Sequence, residues 1–306
     1  MKKTAVLMST YNGEKFLREQ IDSVLAQQGV DVCLYIRDDG SSDDTTAIIR
    51  EYTEKNINIS FLQGNNIGVG SSFMALVRAA GTTADFFAFA DQDDIWLPEK
   101  LERAVSVLSE KDGPWCYCSN QTLVDAESNV LRQRHEAAID AGYMQILCNN
   151  MVTGCTMVWN KDLQELLVRN TEVPSPELLR KRIHDVWVAM VAAVTGNIYY
   201  DPESFILYRQ HENNVVGVRE GSVIKEWNKK LKKPELRNGR SDLAKEILKS
   251  FKTSIENRDI LERLKLYANY RDSAKEKLKL MADKSICMFS GESKILFILK
   301  VLLGLF

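Results

Sequence analysis

Four short apolar runs in the first hundred residues each close on a polar cluster, and this repetition constrains the fold more than any other feature. Thr4–Ser9 leads into Ser9-Thr10-Tyr11-Asn12, and Val32–Ile36 into Asp38-Asp39-Gly40-Ser41. Ile59–Leu62 leads into Asn65-Asn66-Ile67-Gly68, and Asp85–Ala90 into Asp91-Gln92-Asp93-Asp94. Between the runs lie stretches of helical spacing: Glu14–Gln28, with Phe16, Leu17, Ile21, Val24 and Leu25 on one face, then Asp43–Glu54 and Ser71–Ala80. Continuous apolar strands alternating with amphipathic helices describe a doubly wound α/β sheet, which binds ligands at the carboxyl ends of its strands. One polar strand end is ordinary turn chemistry; four in register predict one crevice.

The pattern then loosens. Pro98 suits the first turn of a helix running through Leu101 and Val105. Strands are expected at Trp115–Asn120, Cys155–Trp159, Asn197–Tyr200 and Ser204–Tyr208, with a turn at Asp201-Pro202. Helices are expected near Gly142–Cys148, Asp162–Val168 and Leu178–Val194. After Gly221 the composition turns to Lys, Glu, Leu and Arg, and Lys233-Pro234 and Asn238-Gly239 punctuate the entry to one or two amphipathic helices. The expected division is 1–217, with halves 1–110 and 111–217, followed by a helical extension over 218–306.

Charge divides at the same place. Residues 1–217 carry 19 basic and 30 acidic side chains, whereas 218–306 carry 21 and 12. The acidic part argues against a nucleic-acid backbone binder and suits a cation site. The basic part suits an anionic membrane surface, a dimer interface, or simply solvated helices. Ile295–Phe306 is strongly apolar but shorter than the ~20 residues a bilayer span needs, so it lies at an interface or docks on the protein. Six cysteines without a C-x-x-C pair read as core residues in a reducing compartment, and Met1–Met8 is too short for a signal peptide. A cytoplasmic location is expected.

Asp91-x-Asp93-Asp94 crowds carboxylates at a strand end with no base nearby in sequence. Such crowding usually serves a cation, and Mg²⁺ or Mn²⁺ held by one or two carboxylates keeps positions open for phosphate oxygens. Asp94 equally suits an N-cap for the Pro98 helix. With only His135, His184 and His211 in the chain, a metal leans on carboxylates.

Met8-Ser9-Thr10-Tyr11-Asn12-Gly13, Asp38-Asp39-Gly40-Ser41-Ser42-Asp43 and Asp91-Gln92-Asp93-Asp94-Ile95-Trp96-Leu97-Pro98 resemble the inverting glycosyltransferase family 2, with its GT-A fold. His184-Asp185-Val186-Trp187 and Tyr208-Arg209-Gln210-His211 extend the resemblance toward bacterial rhamnosyltransferases of cell-wall and O-antigen polysaccharides. The resemblance implies that Thr10, Tyr11, Asn66 and Gly68 line the nucleotide pocket. It implies that Asp39 accepts the N3–H of uracil or thymine, Asp91 lies near ribose or metal, and Asp93 binds the metal. Asp185 is the implied base, the rival reading being a carboxylate favoured by a helix N-terminus; His184 reads as structural. Arg209 is expected on the diphosphate and His211 in the metal shell, unless both are plain surface residues. Gly154, Cys155, Trp96 and Trp187 are expected around the acceptor, although tryptophans in such runs are also ordinary core.

The implied activity is metal-dependent transfer from a dTDP- or UDP-sugar, with dTDP-L-rhamnose preferred, to a saccharide acceptor, lipid-linked at the inner membrane face. A UDP-hexose transferase and a catalytically silent sugar-nucleotide scaffold are the rivals. A pyrophosphorylase lacks its Gly-rich basic loop here, and a nicotinamide dehydrogenase would need G-x-G-x-x-G after the first strand, whereas Gly68 and Gly70 follow the third.

Overall fold

The structure, a computed structural model, describes residues 1–211 and 237–306. The junction expected at 218 and the Lys233-Pro234 signal lie outside the described residues.

The first half is the expected succession: β1 (Lys2–Thr10), α1 (Leu17–Leu25), β2 (Val30–Asp38), α2 (Thr45–Lys55), β3 (Ile59–Gln63), α3 (Val69–Ala80) and β4 (Phe86–Ala90). β3, β2, β1 and β4 lie side by side and parallel, so their polar ends meet along one edge. Alternation along a strand sends successive side chains to opposite faces. Thus Ala5, Leu7, Phe87 and Phe89 enter one core layer, while Val6, Met8, Phe86 and Ala88 enter the other.

Beyond β4 the sheet becomes mixed. β5 (Ile95–Trp96), α4 (Lys100–Leu108), β6 (Trp115–Val124), β7 (Val130–Gln133), α5 (Tyr143–Asn149), a 3-10 turn at Gly154–Thr156, β8 (Val158–Asn160), α6 (Lys161–Arg169), α7 (Pro176–Lys181), α8 (His184–Thr195) and β9 (Asn197–Arg209) follow. The sheet order is β3-β2-β1-β4-β8-β6-β9-β5, with β7 paired to β6.

Several expectations change here. The long helix expected over Leu178–Val194 is two helices, because the chain is extended at Arg182 and Ile183 between them. The two strands expected around Asp201-Pro202 are the single β9, which absorbs that dipeptide with shifts of register against β6. Asp94 does not cap a helix: α4 starts at Lys100 behind Glu99, and Asp94 Oδ1 instead accepts the backbone N–H of Arg209 at 3.3 Å. β5 has only two residues and β7 is exposed along its whole length, so neither presents an apolar run.

After the undescribed segment come α9 (Gly239–Phe251), α10 (Arg258–Asn269), α11 (Ala274–Ala282), α12 (Ser285–Ser290) and α13 (Lys294–Leu302). Leu243, Ile247, Phe251, Leu264, Tyr267, Phe297 and Phe306 share one continuous core with α3, α5 and α8. Polar contacts seal the seam: Lys181 pairs with Asp242 at 2.5 Å, Glu246 accepts the Ser175 N–H at 2.8 Å, and Arg240 donates to the Cys148 carbonyl at 2.6 Å. Among the described residues, no helix is long and apolar enough to cross a membrane.

Candidate active site

The strand ends open into a cavity of about 980 Å³ between the two halves. Its donor-side wall is braced loop to loop. Asp38, buried at the end of β2, accepts from the Thr10 hydroxyl at 3.1 Å, the Gly40 N–H at 3.0 Å and the Ser41 N–H at 2.9 Å. Gly40 has φ +86°, and a Cβ there would meet the Asn66 nitrogen at 3.1 Å, so glycine is required by both backbone and space. Asn12 answers the same loop, donating its N–H to Ser41 Oγ and accepting from Ser42 N–H, each at 2.9 Å. Asp39 accepts Arg37 Nη1 at 2.5 Å and the N–H groups of Ile67 and Gly68 at 2.9 Å, which ties the β2 loop to the β3 loop. Gln92 grips Tyr11 at both its N–H (2.8 Å) and its carbonyl (3.1 Å), tying β4 to β1.

Thr10, Tyr11, Asp39, Asn66, Gly68, Asp91, Asp93, Gly154, Asp185 and His211 all line this one cavity. Asp93 Oδ2 and His211 Nε2 lie 2.7 Å apart at its floor. Asp91 is pushed up to about 7 by burial, with the charges of Asp93 and Asp185 adding to the effect. Asp185, in the first turn of α8, accepts the Val186 N–H at 2.6 Å. Burial pushes its carboxyl up to about 6, against the pull of backbone N–H groups and of Arg134 and Arg182. A Cβ on Gly154 would stand 3.1 Å from His184 Nε2 and 3.3 Å from the Asp185 Cβ, so glycine leaves room for the acid. His184 is held neutral, pushed down to about 3 by burial, with its ring stacked on Phe73 at 3.9 Å.

Four expected site residues are elsewhere. Trp96 is buried beneath Lys100, whose ammonium lies 3.9 Å from its ring, and Trp187 is buried in the core 5.9 Å from Phe251; neither reaches the cavity to stack on a sugar. Cys155 is fully buried below the floor, where it accepts from Gln121 Nε2 at 3.1 Å. Arg209 is committed behind the Asp93 loop, donating to the carbonyls of Asp93 (3.0 Å) and Ala126 (2.8 Å) and pairing with Glu19 at 2.6 Å. Its guanidinium is a brace for that loop and does not line the cavity.

Two arrangements offer themselves to a cation. Asp91, Asp94 and Cys155 bring ligand atoms within 4.8 Å of one another. Burial pushes the Asp94 carboxyl and the Cys155 thiol well above their usual ranges, and the buried Lys100 contributes positive charge next to both. That chemistry suits protonated groups sharing hydrogen bonds. The carboxylate of Asp93 with the imidazole of His211, open to the cavity, is the better donor set for a divalent ion.

Residues that motif reading passed over stand out. Gln92 and Arg37 brace the donor wall, and Arg132, Arg134, His135, Lys181 and Arg182 line the opposite side. The available signal was Arg132 and Arg134 at strand spacing in Leu131-Arg132-Gln133-Arg134-His135.

Parallel strands ending in this crevice, followed by a mixed region carrying an acid across from it, define a GT-A transferase. The model of the family "Glycosyl transferase family 2" matches residues 5–165, more than half of the chain, and the chain belongs to that family. It is similar to a dTDP-rhamnosyl transferase, RfbG of Shigella flexneri, with 30% identity over 242 residues, 73% of this chain and 81% of that protein. It is 26% identical over 215 residues to an uncharacterized glycosyltransferase of Rickettsia prowazekii, spanning 68% of this chain and 64% of the relative. Among solved structures, S. aureus TarS 1–349 in complex with UDP aligns over 94% of this chain and 77% of its own, with TM-score 0.58 and 17% identity. The mannosyltransferase PcManGT from Pyrobaculum calidifontis, in complex with GDP-Man and Mn²⁺, aligns over 98% and 86%, with TM-score 0.51 and 14% identity. The protein is therefore a glycosyltransferase with the GT-A fold.

Proposed function

We propose that the chain is an inverting, metal-assisted transferase that moves a sugar, preferentially L-rhamnose, from a dTDP or UDP donor to a saccharide acceptor. The carrying observation is the meeting of the Asp93–His211 pair and Asp185 in one cavity. Thr10, Tyr11, Asn66 and Gly68 form the nucleoside wall, and the second lone pair of Asp39 Oδ2 receives N3–H of uracil or thymine, a donor that cytosine lacks. The 30% identical dTDP-rhamnosyl transferase supports the rhamnose donor.

Asp93 and His211, with Asp91 beside them, suit Mg²⁺ or Mn²⁺. A divalent ion there supplies charge neutralisation for the departing diphosphate. Asp185 accepts the proton of the acceptor hydroxyl; the oxygen bonds to the anomeric carbon as the bond to diphosphate breaks, and the nucleoside diphosphate leaves with the electron pair. Configuration inverts, so a β-linked dTDP-L-rhamnose yields an α-rhamnoside. A carboxyl pushed up to about 6 by burial is matched to proton transfer near neutral pH.

Calorimetry with dTDP, UDP and CDP, with and without Mn²⁺, tests this reading. Metal-dependent binding of dTDP or UDP, lost in Asp93→Asn and weak for CDP, is expected. Equal binding of all three nucleotides without metal would contradict it.

A lipid-linked acceptor fits the exposed stripe of Ile295, Leu299 and Leu302 on α13, continued by Leu303 just past its end, while the opposite side buries Phe297 and Val301. With Met288 exposed nearby in sequence and the surrounding region basic, this face suits shallow insertion into an anionic leaflet. Cosedimentation with anionic vesicles is expected, and to be abolished by Leu299→Glu with Leu302→Glu. A wild-type protein that stays in the supernatant removes the membrane reading.

A further inference from the structure

The second half contributes a cationic wall that the donor chemistry does not use. Arg132, Arg134 and His135 reach the cavity from the end of β7, and Lys181 and Arg182 from the end of α7. The first group is fixed by main-chain bonds to β6: the Arg134 N–H donates to the Gln121 carbonyl at 2.8 Å, and the His135 N–H to Asn120 Oδ1 at 3.1 Å. Asn120 Nδ2 returns a bond to the His135 carbonyl at 2.8 Å, so the segment is clamped onto β6. The guanidinium of Arg134 lies 5.6 Å from the Tyr208 ring, and its Nη1 is buried with no hydrogen-bond partner among the described residues.

These residues line one cavity, and their charges are felt by the same neighbours. Arg134 and Arg132 both push His135 below its usual range, after burial, the largest cause. Arg134 and Arg182 both act on Asp185. The positive groups thus flank the acid of the second half, while Asp91 and Asp93 line the donor side. A buried guanidinium N–H without an acceptor costs free energy that an oxyanion would recover, and arginine offers carboxylates and phosphates a two-pronged contact. The cavity, about 980 Å³, lies at the upper end of the roughly 300–1,000 Å³ usual for one ligand.

We propose that this wall, centred on Arg134 with Arg132 and Arg182, is an acceptor subsite that binds an oxyanion carried by the acceptor sugar, a phosphate or a carboxylate, while Asp185 addresses its hydroxyl. The inference rests on the transferase reading above and adds the charge class of the acceptor.

The test uses the full chain saturated with dTDP and Mn²⁺, so that the donor diphosphate position is filled. N-acetylglucosamine, N-acetylglucosamine 1-phosphate and glucuronic acid are titrated as probes. At least one anionic probe is expected to bind tenfold or more tighter than the neutral sugar, the phosphate or the carboxylate arm naming the source. Arg134→Gln should erase that preference, and Arg132→Gln, at an exposed position, should weaken it, both with unchanged melting temperature and nucleotide affinity. Equal binding of all three probes overturns the proposal. So does displacement of the anionic probe by dTDP, or loss of nucleotide affinity in Arg134→Gln, since the arginines would then serve the donor diphosphate. Failure of dTDP to bind at all strikes the transferase reading instead, and is read before any probe is added.

Discussion

The two walls of the cavity are built differently. On the donor side, Asp38, Asn12 and Gln92, and Asp39 apart from one lone pair of Oδ2, are held by bonds within and between the loops, so the wall is fixed before a ligand arrives. On the opposite side, Arg134 Nη1 is buried without a partner among the described residues, and Asp185 is held by backbone N–H groups at the start of α8. The difference separates recognition of a constant group from recognition of a variable one. A nucleoside diphosphate rewards preorganisation, because interactions already aligned need no ordering on binding. On the proposed acceptor side, Arg134 Nη1 carries an open polar need.

The sharpest way to break this division is at Asp185. Asp185→Asn is expected to lower kcat by roughly 10²–10⁴-fold while leaving the nucleotide Kd unchanged, as removal of a positioned base should. The pH profile carries the sign. A base works deprotonated, and burial pushes this one up to about 6, so log kcat should climb with pH below about 6 and level off above it. A variant that loses nucleotide affinity, or a wild-type profile flat from pH 4.5 to 7, would dissolve the distinction between the walls.

A smaller effect is expected on the other side. Gln92→Ala removes both bonds to Tyr11, and at about 1 kcal/mol each the nucleotide Kd should rise roughly 5–30-fold. Because the change loosens the donor wall only, kcat at saturating donor should stay within about twofold. If kcat falls with Kd intact, Gln92 belongs to the chemistry and the division must be redrawn.

Legibility in the sequence followed the same boundary. The four strand-end loops are contiguous polar segments closing apolar runs, so Asp38, Asp39, Asp91 and Asp93 can be placed from short-range pattern. Trp96 and Trp187 cannot, because their surroundings come from β9, where Ile206 pairs with Trp96, and from Phe251 in the C-terminal helices. Arg209 misled for a related reason: alternation along β9 is readable, but the Asp93 and Ala126 carbonyls that claim its guanidinium belong to loops 116 and 83 residues away. The basic C-terminal region read as a separate amphipathic unit, whereas α9, α10 and α13 complete the core around α8.

The sequence alone determined the alternation of strands and helices, the polar ends that share one crevice, and the membership of family 2, since periodicity, turn chemistry and motif spacing are written within a few residues. Tertiary structure decided that Asp93 meets His211, that Arg209 braces the Asp93 loop, and that Arg132, Arg134, Lys181 and Arg182 line the cavity that holds Asp185. Those outcomes depend on which distant surfaces pack together, and packing is set by the fit of whole elements, which no local run of residues specifies.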